Sequence, residues 1–172
     1  MFIDSLPIYV ITAKPFVNRQ RHIDRMASNN GLTIEYIFKF DLDDLPPEDL
    51  AQFDSNLPEA SISCLAKHIF AQRLMVERGQ DLALILEDDC ILHSNFNQAL
   101  AIIAEAVQKL EPGWLIFLGG SDNKLPRQVL SLSEQRVVRG VITTAEAYLV
   151  DRMGAEKRLK WISENVVSLP AD

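Results

Sequence analysis

The chain has 172 residues, of which 48% are hydrophobic and 24% charged, and its formal net charge is -7 at pH 7. This length allows one well-buried domain and is too short for two comfortable ones. The composition is ordinary for a soluble globular protein. The negative charge excludes a general affinity for nucleic acid or for an anionic membrane.

Charge is unevenly distributed along the chain. Basic residues cluster near its beginning and its end, namely Lys14, Arg19, Arg21, Arg25, Lys157, Arg158 and Lys160. Acidic residues concentrate between Asp41 and Asp89. A cationic patch beside an acidic site would suit a ligand that carries phosphate.

Cysteine content and targeting signals indicate the compartment. Cys64 and Cys90 are the only cysteines, too few for a disulfide framework, so we expect a reducing cytosol. Residues 1–7 lack the basic region and long apolar core of a signal peptide. No stretch approaches the length of a membrane span. These observations predict a cytoplasmic protein.

The beginning of the chain predicts a strand, a helix and a second strand. Residues 8–11 are a short apolar run typical of a strand. A helix with Pro15 in its first turn should then run to Asn30 and stop at Gly31. Its apolar face is marked by Phe16, Ile23, Met26 and Ala27. Residues 34–40 predict the second strand, and this order of elements predicts a parallel βαβ unit.

The next segment predicts a loop and a long helix. Residues 41–48 are acidic and contain proline, which is typical of a loop with one helical turn. We expect a helix over residues 62–77, capped by Ser61 or Ser63 and ended by Gly79. Its core-facing stripe is Leu65, Ile69, Leu74 and Met75. His68 lies near that stripe, where it is either a hydrogen-bonded core residue or a ligand.

The most informative stretch is an apolar run that ends in acids. Residues 82–86 predict a strand buried on both faces, and Glu87, Asp88 and Asp89 follow it directly. Because side chains alternate along a strand, we expect Glu87 and Asp89 on one side and Asp88 on the other. An open α/β sheet binds ligands at such a strand end. Mutual repulsion of the acids favours a bound Mg²⁺ or Mn²⁺ over the alternative, a solvated acidic loop.

The remaining elements complete an α/β pattern. Residues 96–110 and 153–162 predict helices, residues 114–118 and 147–150 predict strands, and residues 123–139 predict a polar loop or hairpin edge. Gly119 and Gly120 follow a strand, but they are a weak phosphate-loop signal. Trp114 and Trp161 are interpreted as core residues, because no aromatic residues are interleaved with basic ones as single-strand binding requires.

Five motifs, taken in order, resemble glycosyltransferase family 25, the lipooligosaccharide-type sugar transferases related to collagen galactosyltransferases. They are Val10-Ile11-Thr12 with Arg19, Cys64-Leu65-Ala66-Lys67-His68, Leu84-Ile85-Leu86-Glu87-Asp88-Asp89, Ala147-Tyr148-Leu149-Val150 with Gly154-Ala155, and Pro170-Ala171-Asp172. Together they span nearly the whole chain, and Glu-Asp-Asp is the strongest of them. The resemblance implies a single GT-A-like (Rossmann-like) domain with a mostly parallel sheet flanked by helices.

The resemblance also implies an activity. The expected reaction is a metal-dependent, inverting transfer of a sugar from a nucleotide-diphospho-sugar. The expected sugar is galactose, and the expected donor is UDP-galactose. The expected acceptor is a glycan or glycolipid such as lipooligosaccharide, which would bring a cytoplasmic protein to the inner face of the membrane. The expected cofactor is Mn²⁺, or Mg²⁺, held by Asp89 and Glu87, where it would neutralise the leaving diphosphate.

Further site residues follow from the same resemblance. The donor-binding residues that it implies are Thr12, Arg19, Asp41, His68 and Asp88. Inversion also requires a general base that takes a proton from the acceptor hydroxyl. Asp172 is the candidate by its motif position, and Glu146 is a second candidate by its proximity to the strand that contains Tyr148.

The chain departs from the family pattern at several positions. Lys67 stands where Ser is usual, Ser61 and Ser63 replace the usual Glu and Gly, and Glu146 occupies a normally small position. Family members continue past Pro-x-Asp, so we expect this domain to lack the C-terminal acceptor segment.

These departures leave alternatives open. They favour a non-catalytic domain that binds a nucleotide, a sugar or a protein partner, whereas the intact acidic motif that ends in Asp89 favours the transferase. A third alternative is an unrelated metal-dependent phosphohydrolase. It would require a second ligand cluster, and His22, His68 and His93 do not form one in the sequence.

Overall fold

The computed structural model describes residues 5–46, 50–119, 137 and 145–168. The elements in chain order are β1 Ile8–Ile11, α1 Val17–Asn30, β2 Glu35–Ile37, a 3₁₀ turn Leu42–Asp44, α2 Glu59–Glu77, β3 Leu82–Glu87, α3 Phe96–Val107, β4 Leu115–Phe117, β5 Ala147–Asp151 and α4 Arg152–Glu164. The predicted loop over residues 123–139 lies outside the described residues except for Val137.

The described strands form a five-stranded sheet in the order β2-β1-β3-β5-β4. β1 pairs in parallel with β2 and with β3, and β5 pairs antiparallel with β3 and with β4. The mostly parallel α/β sheet predicted from the sequence is therefore confirmed. Because β5 is reversed, it begins at the edge where β1 and β3 end, and Ala147 pairs there with Leu86.

Helices cover both faces of the sheet. α1 and α3 pack on one face, where Ile23 and Leu100 join a core cluster with Leu84. α2 and α4 pack on the other face, where Met75 joins a cluster with Ile85. Neighbouring β3 side chains enter opposite clusters because side chains alternate along a strand. β3 is therefore buried on both faces, as its unbroken apolar run predicts.

The second strand is shorter than the sequence suggests. Of the predicted residues 34–40, only Glu35–Ile37 form a strand. Phe40 has a positive φ of 69°, a left-handed conformation outside the range of regular β-strand backbone. α1, in contrast, ends at Gly31 with a φ of 65°, as predicted.

α2 begins earlier than predicted. Its first residue is Glu59, Pro58 occupies the N-cap position, and no side chain caps the helix. The prediction that Ser61 or Ser63 is the cap is therefore wrong. The hydroxyl of Ser63 instead donates a hydrogen bond of 2.6 Å to the carbonyl oxygen of Phe40, so it fastens α2 to the loop after β2.

Two aromatic residues lie on the surface instead of in the core. Phe16 is 47% exposed and Trp161 is 53% exposed, whereas Trp114 packs half-buried against the core. Arg19 places its guanidinium carbon 5.1 Å from the centre of the Phe16 ring. The predictions of core positions for Phe16 and Trp161 are therefore wrong. None of the described helices has both the length and the hydropathy that a membrane crossing requires.

Candidate active site

The candidate site lies where β1 and β3 end and β5 begins. Ile11 pairs with Glu87 in the parallel register, so Thr12 and Asp88 come next on neighbouring strands. On the other side of β3, the backbone N–H of Glu87 donates a 2.8 Å hydrogen bond to the carbonyl oxygen of Glu146. Residues distant in sequence are therefore brought to one edge of the sheet by its topology.

Asp88 is buried and engaged at both oxygens. Thr12 donates its hydroxyl hydrogen to Oδ2 at 2.6 Å, and Nη1 of Arg19 donates to Oδ1 at 2.8 Å. The hydrogen bond to Asp88 raises the pKa of Arg19. Only 6% of the Asp88 side chain is exposed, against 50% for Arg19. Asp88 therefore fixes Arg19 against the end of β3 while leaving the guanidinium accessible to solvent.

Asp89 lies in the turn after β3, and 53% of its side chain is exposed. Its Oδ2 lies 3.2 Å from Nη1 of Arg19, so Asp89 shares this partner with Asp88. Burial raises the pKa of Asp89, the charge of Arg19 opposes this effect, and the charges of Glu87 and Asp88 reinforce it. A carboxylate in such a surplus of negative charge favours a bound cation.

Glu87 faces α2 instead. Its Oε1 lies 3.1 Å from Nε2 of His68, whose Nδ1 lies 3.1 Å from the hydroxyl oxygen of Tyr148. The expectation that Glu87 and Asp89 share one side is therefore wrong, because β3 ends at Glu87 and the alternation does not extend into the turn. His68 is 1% exposed and lies beside the acidic strand end. Burial raises the pKa of Tyr148 to about 12.

Asp41 is held by two lysines. Nζ of Lys67 donates to Oδ1 at 2.5 Å, and the backbone N–H of Lys14 donates to Oδ2 at 2.9 Å. Burial by itself raises the pKa of Asp41, but these hydrogen bonds and the lysine charges outweigh it and leave the pKa below its ordinary value. Lys67, a departure from the family pattern, therefore anchors the loop after β2.

The structure brings most of the predicted residues into two groups, whereas Asp41 contacts Lys67 and Lys14 instead. Arg19 joins Asp88 and Asp89 on the α1 side of β3, and His68 meets Glu87 on the α2 side. Glu146 lies at the same edge of the sheet, while Asp172 is outside the described residues.

Cys64 and Tyr148 are absent from the site residues predicted above. Both contribute atoms near His68. A signal for Cys64 was present, since it lies four residues before His68 and hence on the same face of a helix. Tyr148 was marked only by its place in the motif Ala147-Tyr148-Leu149-Val150, and the pairing of β5 with β3 is what brings it beside His68.

The chain was compared with protein families and with curated proteins. No curated protein matches the chain. The model of the family described as glycosyltransferase family 25 (LPS biosynthesis protein) matches residues 5–172, a range that includes both groups of site residues. The chain therefore belongs to glycosyltransferase family 25, and it is a glycosyltransferase of the type that acts in LPS biosynthesis.

Proposed function

We propose that the protein is a metal-dependent, inverting glycosyltransferase that moves galactose from UDP-galactose to a glycan acceptor such as lipooligosaccharide. The observation that carries this proposal is the meeting of Asp88 and Asp89 with Arg19 at the carboxyl end of β3. This arrangement places an exposed carboxylate beside an exposed guanidinium. A diphosphate and its metal ion need these two groups together.

The residues present fit a hard divalent cation. Mg²⁺ is held in proteins by about one or two carboxylates together with substrate phosphates. Asp89 supplies a half-exposed carboxylate in excess negative charge. Glu87 would bind through Oε2, because its Oε1 lies against His68. When bound, Mn²⁺ or Mg²⁺ would neutralise the charge of the departing diphosphate.

Arg19 is the residue that we propose contacts the diphosphate of the donor. Its guanidinium is a planar donor that matches phosphate oxygens. Thr12 and Asp88 would act by positioning Arg19, since their own polar atoms are committed to each other and to the guanidinium. Asp41 would support the donor site by holding the loop after β2 through Lys67. His68 would support it by holding Glu87.

The proton of the acceptor hydroxyl requires a carboxylate base. We assign this role to Asp172 by its position in the Pro-x-Asp motif. Glu146 is the second candidate, because its backbone is joined to Glu87 at the site edge. In either case the base would act on the acceptor side of the sugar, opposite the leaving diphosphate.

Calorimetric titration of UDP and UDP-galactose, with and without Mn²⁺, tests this proposal. We expect binding that requires Mn²⁺ and that Asp89→Ala abolishes, because Asp89 supplies the exposed metal ligand. The melting temperature of Asp89→Ala should stay near that of the unaltered protein, since the side chain is half-exposed.

The matched control is Glu105→Ala, which removes an exposed carboxylate from α3. It should bind the donor normally. Absence of UDP binding in every condition would contradict the proposal and would favour a non-catalytic interaction domain. Binding that Asp89→Ala leaves intact would remove this residue from the metal site.

A further inference from the structure

A second cluster of ligand-type side chains lies on the α2 side of β3. Cys64, His68 and Glu87 each offer one ligand atom, and the three atoms all lie within 4.8 Å of one another. Within the part of the chain that the structure describes, they are the only group of three or more Cys, His, Asp or Glu side chains gathered so closely. Asp88 and Asp89 do not belong to it.

Regular helix and strand geometry produces this cluster. Cys64 and His68 are four residues apart on α2, so about one helical turn places them on the same face. Glu87 is the last residue of β3 and stands two residues after Ile85, which packs in the cluster beneath α2. The two-residue alternation of a strand therefore directs Glu87 towards the same helix.

We propose that Cys64, His68 and Glu87 form a zinc-binding site between α2 and β3. A thiolate, an imidazole and a carboxylate are all ligands of Zn²⁺, whereas Mg²⁺ and Mn²⁺ favour oxygen ligands. Nε2 of His68 and Oε1 of Glu87 are 3.1 Å apart. Two ligands of a tetrahedral zinc ion, with bonds of about 2.0–2.1 Å, are separated by about 3.3 Å. Three protein ligands leave the fourth position open to water or to a substrate group.

Tyr148 and Gln72 orient His68 from the side away from Glu87. The Tyr148 hydroxyl oxygen lies 3.1 Å from Nδ1 of His68 and accepts a hydrogen bond of 3.0 Å from Nε2 of Gln72. If this oxygen also accepts the Nδ1 hydrogen, Nε2 of His68 keeps its lone pair, as a metal-ligating histidine requires. A lone pair that faces a carboxylate oxygen needs a cation between them. The alternative is a proton on Nε2, which would make the contact an ordinary hydrogen bond.

The zinc site and the proposed donor site share Glu87 and differ in their other ligands. Asp89 and Arg19 belong to the α1 side of β3, and Cys64 and His68 belong to the α2 side. Loss of Cys64 should therefore leave Mn²⁺-dependent UDP binding unchanged. Loss of Asp89 should leave zinc binding unchanged, so failure of one proposal is distinguishable from failure of the other.

The test is a titration of the full chain with Co²⁺, followed by Zn²⁺. Co²⁺ bound to Cys64 should give thiolate-to-cobalt charge-transfer absorption, which Zn²⁺ should abolish by displacing it. Cys64→Ser should remove this absorption and weaken zinc binding by more than about 100-fold, while Tyr148→Phe should weaken it by about 10-fold. Cys90→Ala alters the other cysteine, lies outside the cluster, and should preserve both the absorption and the affinity.

A measurement on the unaltered protein avoids dependence on how the variants fold. Zn²⁺ should slow the alkylation of Cys64 by iodoacetamide and leave the rate at Cys90 unchanged, as followed by peptide mass mapping. Charge-transfer absorption that persists in Cys64→Ser would overturn the proposal. An alkylation rate at Cys64 that Zn²⁺ does not change would overturn it as well.

Discussion

Lys67 is a buried cation that forms an ion pair with the carboxylate of Asp41. Its side chain is 4% exposed and that of Asp41 is 11% exposed, so both charges are largely removed from water. Nζ of Lys67 also donates to the carbonyl oxygen of Lys39 at 3.0 Å. Removing one member of a buried pair leaves the other charge without compensation, which costs more than the pair itself contributes.

We expect Asp41→Asn to lower the free energy of unfolding at neutral pH by about 3 kcal/mol, because Lys67 loses its counter-charge. The pKa of Asp41 is lowered in the folded protein. Its stabilisation is therefore fully present above the unfolded pKa, about 4, and is lost as pH falls through the lower folded pKa. Urea denaturation at several pH values should show the two proteins converging in acid.

The matched control for this prediction is Asp44→Asn. Asp44 pairs with Lys14 at 2.6 Å, but their side chains are 50% and 60% exposed. Water screens such a pair, so the free energy of unfolding should hardly change. If the free energy of unfolding of Asp41→Asn stayed equally far below that of the unaltered protein in acid, the loss of stability would not arise from the charge of Asp41.

The junction of β5 and α4 is closely packed against the backbone before β4. Asp151 caps α4 by accepting a hydrogen bond of 2.8 Å from the backbone N–H of Gly154. The same carboxylate accepts hydrogen bonds of 2.6 and 2.9 Å from the backbone N–H groups of Gly113 and Trp114, before β4. One side chain therefore fastens the beginning of α4 to the entry of the neighbouring strand.

Gly154→Ala should destabilise the protein by about 2 kcal/mol, within the cost of overpacking. A Cβ at this position would come closer than 3.0 Å to the carbonyl oxygen of Trp114, which is backbone and cannot turn away. Alanine is otherwise the better helix former and would raise the free energy of unfolding. A decrease would therefore report the contact between the new Cβ and the Trp114 carbonyl oxygen. Thermal and urea denaturation measure it.

Met153→Ala serves as the comparison because Met153 is adjacent in α4 and 44% exposed. It should change the free energy of unfolding by less than about 0.5 kcal/mol. If Gly154→Ala proved stabilising, the close approach of α4 to the Trp114 carbonyl would be refuted.

At the scale of the whole molecule, β3 is the central strand of the described sheet. It pairs with β1 and β5 along its length and is covered by helices on both faces. β2 and β4 have three residues each and stand at the two edges of the described sheet. Opening of the edges should therefore cost less free energy than opening of the centre.

Native-state hydrogen exchange, followed by mass spectrometry, should show this order. Peptides that cover Leu82–Glu87 should exchange last, and those that cover Glu35–Ile37 and Leu115–Phe117 should exchange earlier. Their order should hold at low denaturant, where partial opening dominates. Faster exchange in β3 than in either edge strand would contradict a central role for it.

The sequence by itself determined the α/β class and most of the elements. Long periodic or unbroken apolar runs, such as the one that ends at Leu86, specify helices and buried strands through local geometry. The sequence also placed three acids at a strand end and marked Arg19 and His68 as candidates near them. Local signals failed at Phe40, where the contact between Ser63 and its carbonyl and the left-handed backbone depend on packing against α2.

Only the tertiary structure decided which side chains meet. Asp88 and Asp89 share Arg19, while Glu87 contacts His68, which in turn contacts Tyr148, because β3 ends at Glu87 and β5 runs antiparallel beside it. Such contacts join residues far apart in the chain, and their geometry depends on sheet register and helix packing. No local pattern of residues specifies these, since they arise from the burial of the whole core.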